Sequence, residues 1–180
     1  MNTWRNLPGK LKVSLLSLHP RLRREARRVG EDLSGEEGEL FLSLNRYDLA
    51  HSLAMARRLS DDPLLRRAAL LHDTGKLRGE LDIITRWLYT FLEMFFPGRL
   101  RRLCAAVEEG AHGEGILERV RSLPPGWRRG FFVQMHHGEI AAELLRRAGG
   151  DQELVRMVEE HQREPRDERA RRLRQADDAL

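Results

Sequence analysis

Apolar residues recur along nearly the whole chain at the three- and four-residue spacing of a helix, and no alternating run of Val, Ile, Thr and aromatics bounded by a two-residue turn breaks the pattern. A chain patterned this way buries its apolar stripes helix against helix, so the expected fold class is all-α: a bundle of about seven or more helices. Residues 11–28 read as a basic helix, or a helix pair interrupted at Pro20, and residues 30–35 as a loop. Ser34 followed by Glu37 fits a capping box for the next helix. From Gly38 to Leu59, Leu40, Leu44, Leu49, Leu53 and Ala56 keep helical phase, with His51 inside the block. Asp61, Asp62 and Pro63 cap a helix running through LLRRAALLHDTGK, which Gly75 ends. Helical blocks follow over 79–98, closed by Pro97, and over 100–109. Further blocks run from Trp127 to the glycines at 149 and 150, over 152–161 and over 167–179. Residues 1–44 read as an N-terminal helical extension packed on a helical domain over 45–180.

At 180 residues, with 41% hydrophobic and 33% charged residues, the chain has the balance of one globular domain. A single cysteine, Cys104, excludes an intramolecular disulfide and a thiolate zinc cluster, which fits a reducing, cytoplasmic setting. No signal peptide is read at the N-terminus. Residues 81–96, LDIITRWLYTFLEMFF, form the most apolar stretch, but it is 16 residues long and carries Asp82, Arg86 and Glu93. No transmembrane segment is therefore expected, and the stretch reads as a buried core helix or a cap over a pocket, with an interfacial amphipathic helix as the alternative. The net charge of +4 is almost all arginine, which favours an anionic ligand. The arginine clusters over 21–28 and 163–174 come without zinc-finger spacing or an aromatic-rich strand motif, so they read as solvated helix faces and nucleic acid is an unlikely partner.

Seven histidines punctuate the chain, and any one of them alone would read as an ordinary core or surface residue. Their joint arrangement carries more. His51 lies within one helix, His72 and Asp73 at the end of the next, His137 on a later one, His161 at the end of the one after, and Asp177 in the last. A bundle that brings these together offers neutral imidazoles and carboxylates, donors suited to iron, manganese, cobalt, nickel or zinc.

His51, the pair His72-Asp73, and Asp177 resemble the H…HD…D pattern of the HD superfamily of metal-dependent phosphohydrolases. The surrounding stretches are similar as well: YDLAHSLAMARRL, AALLHDTGKL, HHGEIAAELL, VEEHQ and LRQADDAL, in that order from residue 45 to residue 180. The resemblance implies an HD domain over 45–180 and a first ion held by His51, His72, Asp73 and Asp177. It implies that Asp73 bridges to a second ion held by His137 and His161, with one or two ions in all. His136 and His137 are adjacent, and His137 is favoured as the ligand because Gly138 to Ala142 then fall into the family spacing. Lys76, just past the HD pair, has two readings: a contact to a substrate phosphate beside Asp73, or a solvated lysine at a helix end.

The implied activity is cleavage of a phosphate ester of a nucleotide or related small molecule by metal-activated water. The alternative is a metal-binding HD module with a regulatory or nucleotide-sensing role and little turnover. Residues 81–96 lie in a block between the HD pair and His137 that is longer than a minimal domain needs. They are expected to cap the metal pocket, held by burial of several of Trp87, Leu88, Phe91, Leu92 and Phe95, with an aromatic such as Trp87 or Phe91 facing the pocket.

Overall fold

The computed structural model describes residues 7–77, 79–81 and 83–180. Asp82, one of the charges counted against a membrane span, lies outside them, as do residues 1–6 of the N-terminal stretch read for a signal peptide. The fold is all-α, with no strand among the described residues. The helices are α1 (Leu7–Leu18), α2 (Leu22–Glu31), α3 (Gly35–Ser43), α4 (Arg46–Arg58), α5 (Pro63–Leu71), α6 (Ile83–Phe95), α7 (Pro97–Glu109), α8 (Ile116–Ser122), α9 (Trp127–Arg147), α10 (Gln152–Glu160) and α11 (Glu168–Asp178). A short 3₁₀ turn, Thr74–Lys76, follows α5.

Local chemistry explains where the boundaries fall. Pro63 opens α5 while the Asp62 carboxylate accepts the amides of Leu64 and Leu65, as the cap reading required. The block expected over 38–59 is two helices, because the Asn45 side chain accepts the Asp48 amide at 3.0 Å and starts α4 afresh. The capping box at Ser34 is not formed. Ser34 stands at the N-cap without a side-chain bond, and Glu37 is buried and held by Arg67 at 2.9 Å instead. Pro97 opens α7 rather than only closing the preceding helix, as its missing N–H and fixed φ allow at a first turn.

Two apolar clusters fill the interior. One gathers residues of α1 to α5 with Leu154 and Val158 of α10 and Leu173 of α11; the other gathers α7, α8 and the first half of α9, including Phe131 and Phe132. The 21-residue α9 serves both, through Phe131 to Val133 in one and Ala141, Ala142 and Leu145 in the other. Burial of each large side chain contributes about 1.5–3 kcal/mol, so α9 is anchored along most of its length.

The 3₁₀ turn lies directly on α9. A Cβ on Gly75 would sit 1.9 Å from the His137 carbonyl oxygen, so only glycine lets the turn approach this helix. This contact sets the His72-Asp73 pair beside His137.

Helix α6 corrects the sequence expectation. Ile84, Trp87, Leu88, Phe91 and Phe95 are exposed, and it is Arg86, Tyr89, Thr90 and Glu93 that face a cavity. Trp87 and Phe91 do not line that cavity; apolar content alone does not say which face of a helix is buried. No described helix is long and apolar enough to cross a membrane.

Candidate metal centre

Five of the six residues singled out in the sequence, His51, Asp73, His137, His161 and Asp177, line one cavity of about 410 Å³, and the sixth, His72, is buried among them. They fall into two groups whose donor atoms lie within 4.8 Å of one another: His51, His72 and Asp177, and Asp73, His137 and His161. Asp73 therefore groups with the later histidines, yet its Oδ1 stands between the sets, 3.5 Å from His72 Nε2 and 3.4 Å from His137 Nε2. Asp177 Oδ1 lies 2.9 Å from His51 Nε2 and 4.0 Å from His72 Nε2.

Three histidines share one construction. The Nδ1–H groups of His72, His137 and His161 donate to the carbonyls of Ala69, Gln134 and Val158, each three residues earlier, at 2.9, 2.9 and 2.6 Å. A carbonyl only accepts, so each proton resides on Nδ1 and each Nε2 presents a lone pair inward. The Gln162 amide also lies 3.2 Å from His137 Nδ1, but the nearer carbonyl fixes the tautomer. His161 and His137 thereby aim two lone pairs at each other across 3.3 Å, and the buried His72 Nε2 has no hydrogen-bond partner.

Charge state reinforces the geometry. Burial, with the nearby Lys76 charge, pushes His137 down to about 3, and burial, with His72 beside it, pushes His161 down to about 4. At neutral pH no proton relieves the facing lone pairs of His137 and His161, so a divalent cation fits this donor set better than any protein group present. For Asp177, desolvation in the cleft opposes ionisation, but the hydrogen bond with His51 and the neighbouring His51 and His72 rings outweigh it and hold the carboxyl below its ordinary range. Asp73 is held well below that range too: burial is outweighed by His72, Lys76 and His137.

His136 does not share the cluster. Its Nε2 pairs with Glu108 and its Nδ1 lies 3.4 Å from Glu139, whereas His137 is buried with Nε2 on Asp73. Lys76 is not a solvated helix-end lysine. Its Nζ donates to Asp73 Oδ2 at 2.7 Å and lies 3.5 Å from Asp48 Oδ1, and these two carboxylates outweigh burial and raise its pKa.

Sequence reasoning missed the layer behind Lys76. Asp48, one helical turn before His51, is fully buried and accepts both terminal nitrogens of Arg86, at 2.9 and 2.8 Å. Asn45 Nδ2 donates to the same carboxylate at 2.5 Å, and the Arg86 guanidinium stacks 5.5 Å over the Tyr47 ring. An acid three residues before a candidate ligand histidine, on the same helix face, was the available signal. Lys10 of α1 also lines the cavity; its pKa is lowered by burial, against the opposing pull of Glu93 and Asp177. Together Lys10, Lys76, Arg86 and Arg174 face Asp73, Glu93, Asp177 and Asp178 around the cavity, so the lining alone carries no excess positive charge.

Much of the second arginine cluster is engaged elsewhere. Arg163 pairs with Glu139 of α9, and Arg169 and Arg172 pair with Asp62 and Asp61 in the turn before α5. The family model described as HD domain matches residues 43–179. Neither the curated proteins nor the solved structures contain a match to the chain.

Proposed function

The chain belongs to the HD-domain family, whose members are generally metal-dependent phosphohydrolases, and from that premise we propose that it hydrolyses a phosphate ester of a small, nucleotide-like molecule. The observation that carries the reading is the convergence of Nε2 lone pairs from His72, His137 and His161 around Asp73 Oδ1, each fixed by a backbone carbonyl. In this reading His51, His72 and Asp177 would hold one divalent ion and Asp73, His137 and His161 a second. The ions when bound supply positive charge for phosphoryl oxygens and acidify water.

The protein's own groups do the positioning. Lys76 occupies Asp73 Oδ2, which leaves Oδ1 as the oxygen facing the histidines. Asp48 holds Lys76, and Arg86 holds Asp48, so the chain of contacts from α6 to Asp73 is continuous. Such outer partners orient ligands and keep them basic. With cations and carboxylates balanced around the cavity, bound divalent ions tip it toward an anion, and Lys10 and Arg174 stand on its wall to meet other parts of the substrate. A cavity of about 410 Å³ suits a ligand of nucleotide size.

The test joins elemental analysis of protein purified without added metal to hydrolysis of an aryl phosphate ester and a nucleotide panel. Co-purified transition metal and turnover that Asp73→Ala abolishes support the enzyme. Tight binding of metal and nucleotide without turnover assigns a sensing role instead, and absence of both metal and turnover overturns the reading.

A further inference from the structure

Helix α6 has two faces with opposite chemistry. One turns Arg86, Thr90 and Glu93 to the cavity; the other carries Ile84, Trp87, Leu88, Phe91 and Phe95, each between 42% and 76% exposed. Their spacing is that of a single helical stripe, and an exposed apolar run of this size is uncommon on a protein surface that meets only water.

The patch continues past the end of the helix. Phe91 stacks with Phe95 and Phe96 at 5.0 and 5.8 Å between ring centroids, and the Arg99 guanidinium lies 5.3 Å over the Phe96 ring. Arg101 and Arg102 follow on the first turns of α7, both exposed. Among the described residues, none of these three arginines has a carboxylate within salt-bridge distance, whereas Arg119, Arg129, Arg146 and Arg169 all do. The only acid within residues 83–96, Glu93, faces the cavity and not the stripe.

An apolar aromatic stripe bordered by unpaired guanidinium groups is complementary to a surface that offers hydrocarbon and negative charge together. A second copy of the chain is a poorer match, since a two-fold contact through this face brings the same arginines near one another with no carboxylate to receive them. We propose that α6 is a docking helix that lies in the plane of an anionic phospholipid surface, the stripe entering the acyl boundary and Arg99, Arg101 and Arg102 meeting the headgroups. At 13 residues the helix can lie on a bilayer but not span one.

Co-sedimentation of the full chain with phosphatidylcholine vesicles containing about a third phosphatidylserine, and with pure phosphatidylcholine vesicles, tests this. The expected result is binding to the anionic vesicles that weakens with added salt. Trp87→Ser combined with Phe91→Ser is expected to reduce it about tenfold or more. Arg101→Gln combined with Arg102→Gln, a change that removes no apolar contact, is expected to weaken binding to anionic vesicles and flatten its salt dependence. The proposal is overturned if the wild-type chain stays in the supernatant, or if both double variants bind as it does. It is equally overturned if sedimentation equilibrium finds a dimer that Trp87→Ser dissolves while vesicles go unbound, which assigns the face to a second copy. None of these outcomes depends on hydrolysis, so docking and catalysis are judged separately.

Discussion

Replacing Arg86 with Met removes the cation that secures Asp48 while keeping most of the side-chain volume. Asp48 is buried and receives Arg86 through two bonds of 2.9 and 2.8 Å, so the loss approaches that of breaking a buried ion pair, about 3–5 kcal/mol. Lys76 Nζ at 3.5 Å and Asn45 Nδ2 at 2.5 Å remain with the carboxylate, which lowers the expected cost to about 2–4 kcal/mol. For a domain of this length that is a fall in Tm of roughly 5–15 °C. Because Asp48 in turn holds Lys76 on Asp73, metal affinity is expected to drop by about 10–100-fold, the usual effect of losing an outer partner of a ligand. Urea denaturation of Arg86→Met, Asp48→Asn and the double variant, with calorimetric metal titration of each, separates the effects. The double variant is expected to lose less than the sum of the singles by about 1–3 kcal/mol. An Arg86→Met protein within about 0.5 kcal/mol of wild type, or strict additivity in the cycle, refutes the reasoning.

Three further outcomes are expected. Gly75→Ala drives a methyl group into the His137 carbonyl, where it would stand at 1.9 Å; displacement of the 3₁₀ turn costs about 1–3 kcal/mol or more in urea denaturation and weakens metal binding. His137→Asn is expected to abolish binding at the second group while His136→Asn leaves it intact, since only His137 faces Asp73; equal effects in metal titration contradict the assignment. In metal-stripped protein, His137 and His161 have folded pKa values of about 3 and about 4, below the unfolded value near 6.5, so the unfolded chain takes up protons first as pH falls. Their contribution is complete above about pH 6.5 and is lost below it, about 3 kcal/mol for His161 alone by pH 4. The depressed carboxyls of Asp73 and Asp177 add a loss of the same sign below their unfolded values. Stability that stays flat between pH 7 and pH 4.5 contradicts this.

The residues that were legible in the sequence are those whose role is written in local spacing. Asp62-Pro63 starts a helix, and the ordered histidines with Asp73 and Asp177 lie on or just past helices that the bundle folds together. Gly75 reads as ending the HD helix, but that helix stops at Leu71 and Gly75 instead lets the 3₁₀ turn approach α9. Pairing between distant segments left no such trace. Glu37 looks like a capping residue until Arg67, 30 positions on, claims it, and Asp48 looks like a surface acid until Arg86, 38 positions on, buries it. Asn45 was hidden because apolar periodicity runs across the break it makes, and α6 misled because hydrophobic content was taken for burial, whereas Thr85, Arg86, Tyr89 and Leu92 turn inward and the most apolar face stays exposed.

The donor atoms are contributed in an order that matters to a chain being synthesised. His51, His72 and Asp73 leave the ribosome early, while Asp177, the oxygen donor beside His51, lies 126 residues after it. At ordinary translation speeds that interval is on the order of ten seconds. Throughout it, the imidazoles of His51 and His72 can gather without the carboxylate that completes their group. A divalent ion captured before Asp177 emerges would therefore meet only part of the proposed donor set.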